Sequence, residues 1–555
     1  MKNQAKQIKR PAFMRAGAYR RSFTLAIIIL LLSLPLSSAT HAAAGDLDPS
    51  FGNGGKVTTN FSRFDLCNDI ALQADGKILA AGASISFDLD PDFLLVRYNT
   101  DGSVDTTFGS GGKVATDFPG QSFIQEIAIQ PDGKIVAAGF SLVAQGFNDF
   151  VLARYNTDGS LDLSFGAGGK VTTDFSGGPD SIQAVALQAD GKIVAAGDSR
   201  SPAGPLGAST RDFAVARYNT NGSLDMTFGD GGKVTTDILG DGDNIFSVLI
   251  EPDGKIVAAG VNFLRFAGGD IAVVRYNTDG SLDTTFGMGG KVTTDFFGFT
   301  DQAFGIARLS DGKLVLAGRA SSAPFLTSSD FALVRYNTNG SLDTTFGTGG
   351  KVTTDFFGQF DLSSSLAIQP DNKIVIGGQA NINDQNSEFA LARYNSDGSL
   401  DATFGSGGKI TTDFTGSSDG AFSIALQPDG RILAGGLTIN TATGQDIALA
   451  RYIGVSFDIC LQDDRIGSSL QIDSASGDYI FNNCDTGSTL SGRGTLTVQG
   501  CVITLMHRTA DRNLLARINT CQHQGNAVVS TFMPGLIGFS GINDSNTADN
   551  TCACR

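Results

Sequence analysis

Seven copies of one long phrase constrain the fold of this chain more than any other feature of its sequence. The copy "LDTTFGMGGK", Leu282–Lys291, is representative. Its phenylalanine recurs every 57 to 63 residues, at Phe51, Phe108, Phe165, Phe228, Phe286, Phe346 and Phe404. A period of this length indicates an array in which each unit is a small group of elements that packs against the next unit.

One unit reads as four short strands. The segments "SIQAVALQ" (Ser181–Gln188) and "KIVAAG" (Lys192–Gly197) flank an Asp-Gly turn, which is a strong hairpin signal. The segments "DFAVARY" (Asp212–Tyr218) and "KVTTDI" (Lys233–Ile238) supply the third and fourth strands, because aromatic and β-branched residues favour strands. No segment of the unit is predicted to form a helix longer than one turn.

Seven four-stranded units predict an all-β, seven-bladed β-propeller over residues 45–452. A parallel β-helix would need a shorter repeat, and an open solenoid would need capping units that this chain does not supply. The array begins with a fourth strand alone, Gly54–Phe61, and ends with a third strand, Asp446–Tyr452. We therefore expect the N-terminal strand to complete the last blade and to close the ring without exposed edges.

The first 44 residues resemble a signal peptide. A basic segment is followed by the apolar run Phe23–Leu36 and by the small residues Ala42–Ala44, the three parts of a secretory leader. The pair Arg20–Arg21 also resembles a twin-arginine export signal, and a single uncleaved anchor helix is the other alternative. We expect a protein that is secreted, periplasmic or at the cell surface, with no membrane span after removal of the leader.

The period stops after Tyr452, and residues 453–555 form a different module. Six cysteines in an exported segment of this length suggest three disulfides; they are Cys460, Cys484, Cys501, Cys521, Cys552 and Cys554. A zinc site is the weaker alternative, because no Cys-x-x-Cys pair is present. The strand-like segments Gly477–Asn483, Gly494–Gly500, Cys501–His507 and Asn513–Thr520 predict a small, disulfide-rich, β-sandwich-like module.

Charge and residue types exclude several functions. The net charge of −16 argues against a nucleic-acid partner, since no basic surface is available to neutralise phosphates. The three histidines are His41, His507 and His523, so the repeat region has no histidine base or ligand. Its single thiol, Cys67, is expected to be buried and inert. The near-symmetry of seven units also argues against one catalytic centre.

The antiparallel strand order gives the ring two different ends. At the uniform end lie the turns between first and second strands and between third and fourth strands, such as 73–77 and 99–112, which barely vary between copies. This end is expected to collect the lysines of "DGK" and "GGK" and the third-strand arginines. At the variable end lie the second-to-third loops and the blade-to-blade connections, such as 198–211. Because scaffolds usually bind through variable loops, the variable end is the candidate binding face.

Acidic residues form rings at the variable end. The first ring, at the start of the first strands, is the candidate binding set: Asp65, Asp180, Asp243, Asp301, Asp361 and Asp419, with Ser122 at the seventh position. A second ring opens the third strands, at Asp92, Asp149, Asp212, Asp270, Asp330, Glu388 and Asp446. A third ring ends the fourth strands, at Asn60, Asp117, Asp174, Asp237, Asp295, Asp355 and Asp413. These oxygens suit a hard cation, with calcium as the candidate cofactor, or they cap backbone N–H groups in turns. A basic protein partner at this acidic face is the third alternative.

The segment Arg275–Phe296 looks like a calcium loop but has the wrong spacing. An EF-hand loop places Gly sixth and Glu twelfth, whereas counting from Asn277 puts Gly280 fourth and Met288 twelfth. Turn chemistry between the third and fourth strands is the better interpretation of Asn277–Gly280.

The phrases "NTDGSLDTTFGMGGKV" (Asn277–Val292) and "QPDGKIVAAG" (Gln130–Gly139) resemble the bacterial delta-60 repeat family over about residues 45–452. The resemblance implies a secreted or surface repeat protein of no established activity, and it transfers no catalytic residue. We predict an exported, non-catalytic, monomeric binding or surface-interaction module that meets a protein or glycan partner through its variable acidic face. The alternatives are a cation-dependent hydrolase or lyase that uses Asp residues at the channel mouth, and a structural cell-envelope component.

Overall fold

A computed structural model describes the chain over residues 43–85, 91–142, 147–200, 211–238, 242–264, 268–323, 328–383, 386–414, 418–440 and 443–454, and the backbone of seven further strands between 458 and 519. The leader predicted for residues 1–44 lies outside this part of the chain except for Ala43 and Ala44. No helix in the described ranges is long and apolar enough to cross a membrane.

The repeat region consists of seven four-stranded antiparallel blades, as predicted. The first strands are β2 (Phe64–Leu72), β6 (Gln121–Ile129), β10 (Asp180–Leu187), β14 (Asp243–Ile250), β18 (Asp301–Arg308), β22 (Asp361–Ile368) and β26 (Asp419–Leu426). The second strands are β3 (Ile78–Ile85), β7 (Ile135–Leu142), β11 (Ile193–Arg200), β15 (Ile256–Leu264), β19 (Leu314–Ser321), β23 (Ile374–Asn383) and β27 (Ile432–Asn440).

The outer half of each blade is built from a long third strand and a short fourth strand. The third strands are β4 (Pro91–Tyr98), β8 (Asn148–Tyr155), β12 (Arg211–Tyr218), β16 (Gly268–Tyr276), β20 (Ser329–Tyr336), β24 (Asn386–Tyr394) and β28 (Gly444–Tyr452). The fourth strands are β5 (Lys113–Thr116), β9 (Lys170–Thr173), β13 (Lys233–Thr236), β17 (Lys291–Thr294), β21 (Lys351–Thr354), β25 (Lys409–Thr412) and, for the seventh blade, β1 (Lys56–Thr59).

The N-terminal strand closes the ring, and this confirms the prediction made from the two incomplete ends of the array. Strand β1 pairs antiparallel with β28, with Lys56 opposite Ala450 and Thr59 opposite Ile447. The first strands also contact one another in a closed circle, from β2 through β26 and back to β2. The repeat region was predicted to start at Gly45, but the preceding residue already packs into the ring. Ala44 is buried, and its carbonyl accepts a hydrogen bond of 2.9 Å from the Gly405 N–H.

Apolar residues of neighbouring blades fill the spaces between blades. Seven clusters of buried residues result, and each combines two consecutive blades; the cluster between blades 1 and 2, for example, contains Leu95, Phe108 and Ile127. Burial of apolar side chains against the next blade is the main stabilising contribution in such an array. The closing blade joins the circle in the same way, because Phe51 packs with Ile70 and Leu449.

Every first strand contains a β-bulge at the same place. In β2 the pairing register shifts between Cys67 and Asp69, and the other six first strands shift at the equivalent position. The opposing second strand carries a glycine there, because a Cβ on Gly260 would lie 1.8 Å from the carbonyl oxygen of Asn244. A bulge re-aims side chains locally, and here it does so beside the axis of the ring.

Beyond the repeats, the chain forms two antiparallel sheets. One is a four-stranded meander of β29 (Asp458–Asp463), β30 (Ser468–Asp473), β31 (Asp478–Asn483) and β32 (Ser488–Arg493). The other contains β33 (Thr495–Gln499), β34 (Val502–Arg508) and β35 (Asn513–Asn519). The four strands predicted in this module are therefore present. The predicted disulfides fall on side chains outside the described part of the chain.

Candidate functional site

The phrase that is repeated at the uniform end forms the same set of ion pairs and ring contacts in each blade, which we call the uniform-end joint. In blade 1, Asp105 Oδ2 accepts from Arg97 Nε at 2.7 Å and lies 3.0 Å from Lys77 Nζ. The same guanidinium stacks over Phe108, with 4.5 Å between Cζ and the ring centroid, and donates to the Thr157 carbonyl of blade 2. The hydrogen bonds from Thr107, followed by those from Lys77 and Arg97, hold the pKa of Asp105 well below its usual range.

This joint recurs around the ring and includes the closing blade. The further pairs are Arg154 with Asp162, Arg217 with Asp225, Arg275 with Asp283, Arg335 with Asp343, Arg393 with Asp401 and Arg451 with Asp48. The Arg451–Asp48 pair joins the two ends of the repeat region at 2.8 Å between Nε and Oδ2. The carboxylates of the repeated phrase are therefore committed to ion pairs inside the protein.

The segment that resembled a calcium loop is a turn. Asp279 Oδ1 accepts from the N–H of Ser281 at 2.9 Å and from its hydroxyl at 2.6 Å. Gly280 has a φ of 88° and donates to the Asn277 carbonyl at 3.0 Å. These are the contacts of an Asx turn with a left-handed glycine, so the interpretation as turn chemistry is confirmed.

The six candidate ring residues lie at the start of the first strands and are buried. Each accepts an N–H from the connection that enters its blade; Phe175 N lies 2.7 Å from Asp180 Oδ2, and Phe356 N lies 2.8 Å from Asp361 Oδ2. Asp65 accepts from Phe61 and Ser62 in the same way. The capping role weighed against cation binding is therefore present at this ring.

The fold brings the three acidic rings together at the junctions between blades. One carboxylate oxygen each of Asp149, Asp174 and Asp180 lies within 4.8 Å of the others, with residues from blades 2 and 3. We call these clusters the junction triads; the others are Asp212–Asp237–Asp243, Asp270–Asp295–Asp301 and Asp330–Asp355–Asp361. In each triad the third-strand Asp is half-buried, the fourth-strand Asp is exposed and the first-strand Asp is buried.

Carboxylates in the junction triads repel one another. Burial, followed by the charges of Asp174 and Asp149, raises the pKa of Asp180 to about 6. Burial and neighbouring carboxylates likewise raise the pKa of Asp301 and of Asp361 to about 7. These directions are opposite to that of Asp105 at the uniform end, where hydrogen bonds from Thr107, Lys77 and Arg97 outweigh burial.

The lysines of "GGK" do not stay at the uniform end, contrary to our expectation. Lys233 Nζ reaches the preceding blade and donates to the carbonyl of Asp174 at 2.9 Å, and Lys351 makes the equivalent bond to Asp295 at 2.5 Å. The side chain is long and the fourth strand has four residues, so the ammonium crosses towards the variable end. A lysine therefore stands beside each of these triads, bound to a peptide oxygen.

Two acids that the sequence interpretation missed lie in the central channel. Asp69 and Glu126 directly follow the bulges of blades 1 and 2, where blades 3 to 7 carry Ala184, Ser247, Gly305, Ser365 and Ser423. An alignment of the seven copies would have found them, since both stand four residues after the ring position. Cys67 is buried, as predicted, and burial raises the pKa of its thiol.

Comparison with known proteins supports a repeat β-propeller. The family described as "Domain of unknown function (DUF5122) beta-propeller" matches seven segments, at residues 73–108, 130–165, 188–228, 251–286, 309–346, 369–404 and 427–452. No curated protein matches the chain. The matched description differs from delta-60, so that resemblance remains an expectation.

Solved structures are similar to the chain at low identity. The WD40 repeats of RRP9 are 10% identical with a TM-score of 0.43, over 74% of this chain and 99% of that chain. A protein of unknown function from Dyadobacter fermentans is 12% identical with a TM-score of 0.37, over 73% and 100%. These TM-scores are below 0.5, and the fold is established by the strand pairing of the seven blades.

Proposed function

We propose that the protein is an exported, non-catalytic binding module whose variable end holds a partner with a basic surface. The observation that carries this proposal is the pair of neighbouring junction triads in blades 4 to 6. Their outward carboxylates, Asp295 and Asp355, are exposed, while their inner carboxylates have raised pKa values. A cationic group placed at this face would relieve the repulsion, which favours a basic protein segment or an amino-bearing glycan.

Apolar groups adjoin these carboxylates and add to the contact surface. Phe297 and Phe357 follow the two exposed Asp residues closely and are 49% and 45% exposed. Large aromatic side chains at a surface often anchor a partner, and the surrounding charges set its orientation. The proposed partner segment therefore combines Lys or Arg with apolar side chains.

A synthetic peptide with alternating lysine and leucine tests this proposal. Binding is measured at low and high salt to the full chain and to the double variant Asp295→Asn/Asp355→Asn. The matched control is Asp279→Asn/Asp397→Asn, which removes two exposed carboxylates from the uniform end. We expect at least tenfold weaker binding in the first variant, strong salt dependence, and unchanged binding in the control. Equal losses in both variants would show general charge attraction and overturn the proposal.

The junction triads also favour a second candidate, a hard cation such as calcium. Each triad offers three carboxylate oxygens in close proximity, and oxygen ligands are those that calcium prefers. The melting midpoint with calcium and with a chelator tests this candidate. An upward shift that Asp361→Asn reduces would support it, and an unchanged midpoint would remove it. The rival hydrolase or lyase gains no support from four equivalent triads, because none is distinguished as a reaction centre.

A further inference from the structure

The seven first strands enclose a cavity of about 550 Å³ on the axis of the ring. We call it the channel cavity; its lining includes Asn68, Asp69, Glu126, Phe246, Phe304 and Phe422. Several of these residues stand at or directly after the bulges of their strands. Cavities of about 300–1,000 Å³ are typical of sites for small molecules.

The lining is asymmetric although the backbone is repeated. Blades 1 and 2 contribute the carboxylates of Asp69 and Glu126, whereas blades 4 and 5 contribute the rings of Phe246 and Phe304. In a ring of seven blades, blades 4 and 5 lie across the axis from blade 1. The cavity therefore has an acidic wall facing an aromatic wall, and the difference comes from side chains alone.

The acidic wall is held in place by hydrogen bonds between blades. Asp69 accepts from the Ile127 N–H at 2.9 Å and from the Ser423 hydroxyl at 2.7 Å, and Glu126 Oε2 accepts from the Val185 N–H at 2.6 Å. Both carboxylates thus reach backbone or side-chain donors of neighbouring blades. These bonds fix the carboxylates beside the cavity without adding positive charge.

Burial destabilises the charged form of both carboxylates, and the charge of Asp69 adds to this effect at Glu126. Burial raises the pKa of Asp69 to about 6, and burial and the charge of Asp69 raise the pKa of Glu126 well above its usual range. Among the described residues that line the cavity, none is Lys, Arg or His. Arg319 stands outside the lining, with its Cζ 5.9 Å from the Phe304 centroid and a hydrogen bond to Gln302.

The aromatic wall offers a flat apolar surface. The rings of Phe246 and Phe304 lie with their centroids 4.8 Å apart, and Phe422 of blade 7 lines the same cavity. Ring faces attract both apolar groups and organic cations. An inorganic cation would use the acidic wall and leave this aromatic surface without a role.

We propose that the channel cavity binds a small organic cation, with its ammonium group between Asp69 and Glu126 and its apolar or aromatic body against Phe246 and Phe304. This site is independent of the proposed contact surface at the variable end. A neutral sugar would also use carboxylates and aromatic rings, but it would not relieve the repulsion between Asp69 and Glu126. The charge of the acidic wall therefore favours the cation.

Tryptamine is a suitable probe, because the chain contains no Trp and the indole fluorescence reports on the ligand alone. Its anisotropy is titrated with the full chain, and tryptophol, the neutral alcohol with the same ring, serves as the competitor that lacks charge. We expect saturable tryptamine binding and at least tenfold weaker competition by tryptophol. Competition by tryptophol at equal strength would overturn the role of the acidic wall, and absence of saturable binding would overturn the site.

Variants locate the ligand in the cavity. Glu126→Gln keeps an acceptor oxygen for the Val185 N–H, and Asp69→Asn keeps one for the Ile127 N–H while its amide group can donate to the Ser423 hydroxyl oxygen. Both changes remove the charge, so each is expected to weaken tryptamine binding at least tenfold. Asp132→Asn, in the exposed turn of blade 2, is the control and should change nothing. Unchanged binding in both cavity variants, or displacement of tryptamine by neutral monosaccharides, would overturn the proposal. The comparison of tryptamine with tryptophol needs no variant and stands if a variant fails to fold.

Discussion

Aspartates at the two ends of the ring differ in their partners. At the uniform end, Asp343 is placed between the guanidinium of Arg335 and the ammonium of Lys313, and its pKa is lowered. At the variable end, Asp361 of the next blade lies beside Asp330 and Asp355, and its pKa is raised to about 7. The first arrangement stabilises the fold. In the second, neighbouring carboxylates repel one another, and a cationic partner would reduce this repulsion.

The largest loss of stability is expected at the uniform-end ion pair that also joins the N-terminal strand to the last blade. Asp48→Ala removes the carboxylate that pairs with Arg451 and lies 2.7 Å from Arg431, so Arg451 loses this partner while Arg431 keeps its ion pair with Asp429. Loss of one partner of a buried pair costs about 3–5 kcal/mol, and here it also loosens the β1–β28 pairing. Chemical denaturation should show a larger loss than Asp225→Ala, the same change in a blade that is continuous in sequence. Equal losses would show that ring closure does not depend on this pair.

The aspartates of the two ends should contribute to stability with opposite pH dependence. Asp301 and Asp361 have folded-state pKa values of about 7 against an ordinary 3.8, so their favourable contribution is complete at low pH and is lost as the pH rises through about 7. Asp105 and Asp343 have lowered values, so their contribution is present above 3.8 and is lost in stronger acid. The melting midpoint should therefore rise from pH 8 to about pH 4 and then fall steeply. A midpoint that falls steadily from pH 8 downwards would contradict the repulsion at the variable end.

The smallest change in stability is expected for a substitution in the turn that resembled a calcium loop. Asp279→Asn keeps an oxygen that accepts from Ser281, and Asn221 and Asn339 already occupy the equivalent position in other blades. Neither the melting midpoint nor its response to calcium should change. A calcium-dependent shift that this variant abolishes would restore the interpretation as a metal loop.

Repetition made the fold predictable, because seven copies show which positions are strands and which are turns. The incomplete first and last units, Gly54–Phe61 and Asp446–Tyr452, were sufficient to predict ring closure. The three acidic rings were visible in the sequence as well. The sequence did not predict that residues of the three rings meet in junction triads, because these contacts depend on how the end of one blade packs against the start of the next.

Two features escaped prediction for local physical reasons. The reach of Lys233 to Asp174 depends on side-chain length relative to a four-residue strand, which the order of residues does not reveal. Asp69 and Glu126 follow β-bulges, and a bulge breaks the alternation from which side-chain direction is inferred. An alignment of the seven copies identifies both residues, because they are the only acids at their position of the repeat.

Stability at neutral pH of two matched variants tests the difference between the ends most directly. Asp343→Asn should lower the free energy of unfolding by about 3 kcal/mol, because it breaks a buried pair with Arg335 and Lys313. Asp361→Asn keeps an acceptor for the Phe356 N–H and adds a donor beside Asp330 and Asp355, so stability should stay the same or increase. Equal losses in both variants would contradict the account, since they would show that both ends use their aspartates alike.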